Sequence, residues 1–256
     1  MENRCRLPVV LSLSGHDPSG GAGIQADIEA IQAQGCHAAT AVTCLTVQDS
    51  VRVHALYPVS AELFLRQAQC VLEDLQPEVI KIGLVASIAI AETLGELLEL
   101  TGDLPVVLDP VLRAGNGRPL SAAEFLRPLL PLCTLVTPNR QEARLLAGTE
   151  EDERCGPLLL ESGCDAVLVT GADEADADQV INSLHMPHQI RHWRWPRLPG
   201  SYHGSGCTLA SAIAARLALG EELAVAVEQA QHYTHRTLQA ACRPGQGQQL
   251  PRRIAV

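Results

Sequence analysis

Short apolar runs alternate with helical stretches along most of this chain, and that alternation constrains its fold more than any other feature. Residues 7–14 form an almost unbroken apolar run, the pattern of a strand covered on both faces. Residues 23–34 place Ile24, Ile28 and Ile31 on one helical face, and Gly35 stops them. Residues 38–47 are apolar and β-branched, and Ser60 caps a helix over 60–75. Further strands are expected at 79–84, 105–108, 134–137 and 166–170, and further helices at 87–100, 121–130, 139–147 and 154–162. Residues 173–199 mix His, Trp, Arg and Pro with Ile and read as an irregular strand pair or flap. Two helices, from about 208 to 219 and from 222 to 242, finish the chain. Repeated strand–helix–strand units cross over right-handedly, so the expected fold is α/β with a mainly parallel central sheet and helices on both faces. Neither a repeat nor a long linker interrupts the 256 residues, and one domain over 1–256 is the economical reading.

The formal net charge is −10, with 29 acidic against 19 basic residues. That balance argues against a nucleic-acid or anionic-membrane surface, although one loop can still hold an anionic small molecule. No apolar run has the length of a membrane span. The short apolar stretch near the N-terminus soon meets Gly15-His16-Asp17-Pro18, which suits a first buried strand better than a signal peptide. The nine cysteines are an odd number without a C-x-x-C pair, as expected of free thiols in a reducing cytoplasm.

In open α/β sheets, ligands bind beyond the carboxyl ends of the strands. Polar and glycine clusters fall at those ends: Gly15-His16-Asp17, Thr46-Val47-Gln48, Gly83, Asp109-Pro110, Thr137-Pro138-Asn139 and Thr170-Gly171. Glycine is dense in residues 15–27, yet neither a dinucleotide fingerprint nor a P-loop is present there. Three glycines within four residues favour close passage of a ligand over a plain loop. Asn139 and Glu142 share a helix face, where they can serve a Mg²⁺–water shell or form a capping box, and spacing alone favours the cap. Asp109 can hold a metal or cap a loop. Gln48 can pair with a heterocycle or stabilise a turn. Lys81 is the only lysine, open to either a buried ion pair or a site charge. His185, His188, His192, His232 and His235 lack zinc-ligand spacing and fit an exposed flap and a polar helix face.

The loop His203-Gly204-Ser205-Gly206-Cys207-Thr208 runs straight into an Ala/Leu-rich helix that Gly220 ends. The first N–H groups of such a helix lack internal partners, and with the helix dipole they form a ready anion site. A thiol placed there is expected to have a lowered pKa and to act as base or nucleophile. A glycine turn capping a core helix, with an inert cysteine, is an equal alternative on these residues alone.

Taken in order, LSLSGHDPSGGAGIQADIEA, TAVTCLTVQDS, IKIGLV, VVLDPV, TPNRQEA and HGSGCTLASAIAA resemble the hydroxymethylpyrimidine/phosphomethylpyrimidine kinases of thiamine biosynthesis, members of the ribokinase-like superfamily. The six blocks cover most of residues 9–219 and are weakest over 150–202. The resemblance implies a cytoplasmic homodimer of ribokinase-like fold that uses ATP and Mg²⁺. It implies phosphorylation of 4-amino-5-hydroxymethyl-2-methylpyrimidine, then of the monophosphate to the diphosphate. Cys207 would be the catalytic base, with the N–H groups of Gly204, Ser205, Gly206 and Cys207 as an anion hole. Asn139 and Glu142 would organise Mg²⁺ and phosphate, with Asp109 beside them; Glu142 and Asp109 would reach the metal through water. Gln48 would read the aminopyrimidine edge, and Gly15, Ala22, Asp27 and Val111 would line the substrate pocket. Thr170 stands on the nucleotide side, where the family has a lysine; Leu84 replaces a methionine, and Arg113 is the nearest cation after Asp109-Pro110-Val111. These departures bear on nucleotide affinity and on the second phosphorylation. A pyridoxal kinase of the same superfamily, a pyrimidine-binding module without turnover and a cysteine-nucleophile phosphatase are the competing readings. The Thr46-x-Gln48 pair and the DPSGGAGIQAD block favour the pyrimidine.

Overall fold

The structure, a computed structural model, describes residues 7–115, 117–172 and 178–254. Residues 1–6 and the 173–177 part of the expected flap lie outside the described residues. Six strands run parallel: β1 (Val9–His16), β2 (His37–Gln48), β4 (Val79–Ile82), β5 (Val106–Leu108), β6 (Leu135–Val136) and β7 (Val167–Val169). Three antiparallel strands complete the edges: β3 (Val53–Pro58), β8 (Gln179–Met186) and β9 (Gln189–Pro196). All nine form one sheet in the order β3-β2-β1-β4-β5-β6-β7-β8-β9.

Alternation along β1 shows how the layers form. Val9, Leu11 and Leu13 enter a core shared with α2 (Ala61–Leu75), α3 (Ile88–Thr101), α4 (Ala123–Leu126), α5 (Arg140–Ala147) and α6 (Asp152–Glu161). Val10 enters the opposite core with α1 (Gly23–Ala33), α7 (Ser205–Ala218) and α8 (Leu223–Gln239). A side-chain period of two therefore puts Lys81, between Ile80 and Ile82, on the α1/α7 face. Helix α7 is buried without interruption from Cys207 to Ala215. Its Ala and Ser side chains let it pack against α1, α8 and the sheet together.

Several boundaries differ from expectation. Residues 121–130 are not one helix: α4 has four residues and yields to a 3-10 segment, Arg127–Leu132, where Pro128 and Pro131 lack the N–H that an α-helix needs. The described part of 173–199 is a regular hairpin, β8–β9, turning at Pro187-His188. Strand β3 arises where none was expected. Helix α7 starts at Ser205, because Gly204 adopts φ 82° and serves as its N-cap. Beyond α8 the chain returns over the carboxyl edge of the sheet, with bridges from Cys242 to Leu250 and from Tyr202 to Gln249.

Connections from β1 leave toward β2 on one side and, later, toward β4 on the other. The sheet therefore has its topological switch point at β1/β4, where a crevice opens beyond the strand ends.

Candidate active site

A cavity of about 570 Å³ occupies that crevice. Gly15, Ala22, Gln48 and Val111 line one end; Asp109, Asn139, Glu142 and Thr170 line the other, with Gly204, Ser205, Gly206 and Cys207 between. The two glycine-rich segments, nearly the whole chain apart in sequence, interlock here. The His203 ring lies against Gly21, and the carbonyl of Gly21 lies where any side chain on Gly204 would project. Arg253, 2% exposed, fastens the pair: Nε donates to Thr208 Oγ1 at 2.8 Å, Nη1 to Gly20 O at 3.4 Å and to Glu29 at 3.2 Å, and Nη2 to Gly21 O. Sequence reasoning missed Arg253, which lies outside every local pattern.

At the start of α7, the N–H groups of Ser205, Gly206 and Cys207 have no carbonyl one turn back inside the helix, and they face the cavity. A helix N-terminus with such donors is a setting in which anions bind. The thiol departs from expectation. Burial pushes Cys207 far up rather than down, and the Asp109 carboxylate pushes it further; Lys81 and the Gly23 N–H oppose this only in part. Cys207 is thus held toward its neutral thiol, beside the Asp109 carboxylate.

Asp27 does not line the cavity, which corrects its expected place there. Its side chain is wholly buried beneath the floor, 2.9 and 3.0 Å from Lys81 Nζ, and it accepts from Ser12 at 2.6 Å and Ser211 at 2.7 Å. Lys81 thus belongs to a buried ion pair, and it reaches the site at second hand, 3.8 Å from Asp109 Oδ2. Burial lowers the lysine, but Asp27, with Asp109 beyond it, outweighs this and holds the ammonium above its usual range. Asp109 is raised by burial, against the pull of Lys81 and of the Cys207 hydrogen bond.

Asn139 and Glu142 form a complete capping box: Asn139 Oδ1 accepts from Glu142 N at 2.9 Å, and Glu142 Oε2 accepts from Asn139 N at 3.0 Å. Glu142 Oε1 also accepts from Leu112 N at 3.3 Å. Its oxygens are committed to the backbone, so a cation would meet this carboxylate through water. Asp109 Oδ2 is a better cation ligand, since it is buried without a hydrogen-bond partner among the described residues. No three His, Cys, Asp or Glu side chains cluster as a metal cage among the described residues. A bound Mg²⁺ would take Asp109 and complete its shell with water and phosphate oxygens.

Two further groups escaped the sequence reading. His203 Nε2 stands 2.7 Å from Asp17 Oδ2 and 2.9 Å from the Gln48 amide. Burial raises Asp17, but hydrogen bonds from His203 and Ser19 prevail and hold it below the ordinary carboxylate range. At the far end, Gln231 Oε1 accepts from Asn182 Nδ2 at 2.8 Å and from Trp195 Nε1 at 3.0 Å. Indole N–H only donates, so this amide is fixed with its NH₂ turned away. Gln231 Nε2, Thr234 Oγ1 and His235 Nε2, on one face of α8, are buried beside the cavity without partners among the described residues. Positions 231, 234 and 235 carry a helical spacing, the one signal that could have grouped them.

A family model described as phosphomethylpyrimidine kinase matches residues 17–252. The chain belongs to that family. The matched span holds every candidate residue of this phosphomethylpyrimidine kinase relative except Gly15. The hydroxymethylpyrimidine/phosphomethylpyrimidine kinase of Synechococcus elongatus is 34% identical over 253 residues, which cover 94% of this chain and 95% of the relative. A phosphomethylpyrimidine kinase from Clostridium difficile superposes with TM-score 0.79 at 31% identity, over 90% of this chain and 99% of that one. The pyridoxal kinase from Staphylococcus aureus in complex with ADP superposes with TM-score 0.88 at 26% identity, over 96% and 93%. The fold is the ribokinase-like α/β arrangement that the resemblance implied.

Proposed function

We propose that this chain transfers the γ-phosphoryl group of ATP to the hydroxymethyl oxygen of 4-amino-5-hydroxymethyl-2-methylpyrimidine, and then phosphorylates the monophosphate to the diphosphate, in thiamine biosynthesis. The observation that carries this reading is the meeting, in one cavity, of a buried thiol at a helix N-terminus with Gln48, whose amide can pair with a heterocycle. The membership of the chain in the phosphomethylpyrimidine kinase family supports it.

Phosphoryl transfer demands alignment and charge neutralisation more than covalent help. Ala22, Val111 and Gln48 would hold the pyrimidine with its hydroxymethyl group toward Cys207. The N–H groups of Ser205, Gly206 and Cys207 would receive the equatorial oxygens of the transferring group. The hydroxyl oxygen attacks phosphorus, the bond to ADP breaks, and the hydroxyl proton passes to Cys207 Sγ. Cys207 would accept that proton as a thiolate, having first released its own proton to solvent; a thiolate whose acid is held far up is a strong base, and Lys81 beneath the floor favours it. Mg²⁺, when bound, neutralises the phosphate oxygens beside Asp109.

The resemblance implies a lysine where Thr170 stands, and Thr170 carries no charge, so the nucleotide would rely on other contacts. The three unpartnered groups of α8 support a planar, hydrogen-bonding base at that end. The exposed pair Leu45 and Tyr57, opposed in the β2–β3 register and 49% and 61% exposed, supports a homodimer built on that flap. The eight described cysteines are all free, which supports a reducing, cytoplasmic setting for this single-domain kinase. No helix among the described residues is long and apolar enough to cross a membrane.

Pyridoxal is the second reading, favoured by the closer superposition of the pyridoxal kinase. Incubation with MgATP and the hydroxymethylpyrimidine tests the first: ADP is expected in step with monophosphate and then diphosphate, and no ADP above background contradicts it.

A further inference from the structure

The contact between Gln48 and His203 holds a conflict of hydrogens, and resolving it assigns a role to His203. Asp17 Oδ1 accepts from Ser19 N at 2.9 Å and Ser19 Oγ at 2.7 Å, while Oδ2 accepts from Ala22 N at 2.9 Å. This carboxylate acts only as an acceptor, so the His203 nitrogen 2.7 Å from Oδ2 must carry a proton. The same Nε2 lies 2.9 Å from Gln48 Nε2. A protonated ring nitrogen cannot accept from an amide N–H. Amide oxygen and nitrogen exchange places by a half turn of the side chain, and the network decides between them.

With the amide turned, every bond is served. Gln48 Oε1 accepts from His203 Nε2–H, which it shares with Asp17. Thr46 Oγ1 spends its hydrogen on His16 O at 2.9 Å and accepts from the turned Gln48 amide, 3.3 Å away. The second Gln48 N–H is then left for a ligand in the cavity, which Gln48 lines. The ring cannot drift out of this arrangement, because it packs on Gly21, where any side chain would collide with it.

We propose that His203 is a positioning residue that fixes the Gln48 amide with its oxygen toward the ring and an N–H toward the cavity, so that the site selects a heterocycle presenting an unprotonated ring nitrogen. The ligand class rests on the function proposed above; the orientation of the amide does not.

Protein labelled with ¹⁵N in the histidine rings, without nucleotide, gives the direct test, with the His203 signals identified by their loss in His203→Gln. Expected is a pyrrole-type Nε2; a pyridine-type Nε2 overturns the proposal. Calorimetric binding of the hydroxymethylpyrimidine, against an analogue with CH in place of a ring nitrogen, is expected to favour the former at least about tenfold. His203→Leu should collapse that ratio, and His203→Gln, which keeps an N–H donor, should restore part of it. An unchanged ratio in His203→Leu overturns the proposal. Because neither measurement uses ATP, discrimination without turnover refutes the kinase reading alone, and turnover without discrimination refutes this one alone.

Discussion

Lys81 and Asp27 pair beneath the cavity floor with both side chains wholly buried, Nζ lying 2.9 Å from Oδ1. Neither charge can be left alone there. Lys81→Met should cost about 3–5 kcal/mol, because it strands a carboxylate out of reach of water. Lys81→Met combined with Asp27→Leu should recover part of that loss. Urea unfolding midpoints of the single and double variants check both expectations.

Cys207 should be silent toward iodoacetamide at pH 8. Its titration is shifted upward, so the protonated form prevails there, and the thiolate is the species that reacts. Cys36 and Cys44, pushed up by burial to about 11, should also stay unlabelled, while exposed Cys70 and Cys242 react. Peptide mass spectrometry distinguishes the sites. Cys207→Ala should lower kcat by about 10²–10⁴-fold with the fold intact.

Arg253 joins the glycine loop to α7 from a strand-free tail. Arg253→Ala should remove roughly 2–3 kcal/mol of stability by leaving the Gly20 and Gly21 carbonyls short of donors. It should also lower kcat/KM for both substrates, since the His203–Cys207 loop then loses its register against Gly21. Thermal unfolding and initial rates, measured on one preparation, test the linkage.

Gln231 Nε2 is buried beside the cavity without a partner among the described residues, and under the proposed function it would meet the nucleotide. Gln231→Leu should raise KM for ATP about tenfold while leaving KM for the pyrimidine unchanged. A change confined to the pyrimidine would assign the α8 face to the other substrate.

Helices and buried strands were legible because burial imposes periods of 3.6 and 2 on the sequence. Ser60 illustrates this: a serine before an amphipathic stretch became the N-cap of α2, accepting from Leu63 N. The hairpin β8–β9 was legible only as an irregular strand pair or flap, because Asn182, Ser183 and His192 sit among its apolar residues and blur the alternation. At the cavity, residues within one segment could be grouped by eye, as with Gly204 to Cys207. His203 lies 186 positions from Asp17 and 155 from Gln48, and only the closed sheet brings them together. The lowered thiol pKa failed for a related reason. Local chemistry at a helix N-terminus favours the thiolate, whereas the burial that raises Cys207 belongs to the tertiary structure.

Substrate choice is the most direct test of the account. Wild-type protein should be given MgATP with equal concentrations of 4-amino-5-hydroxymethyl-2-methylpyrimidine and pyridoxal, and the phosphorylated products resolved by mass spectrometry. The account predicts pyrimidine phosphate in large excess, with diphosphate following. Pyridoxal phosphate as the main product, or no phosphorylated product at all, would contradict it.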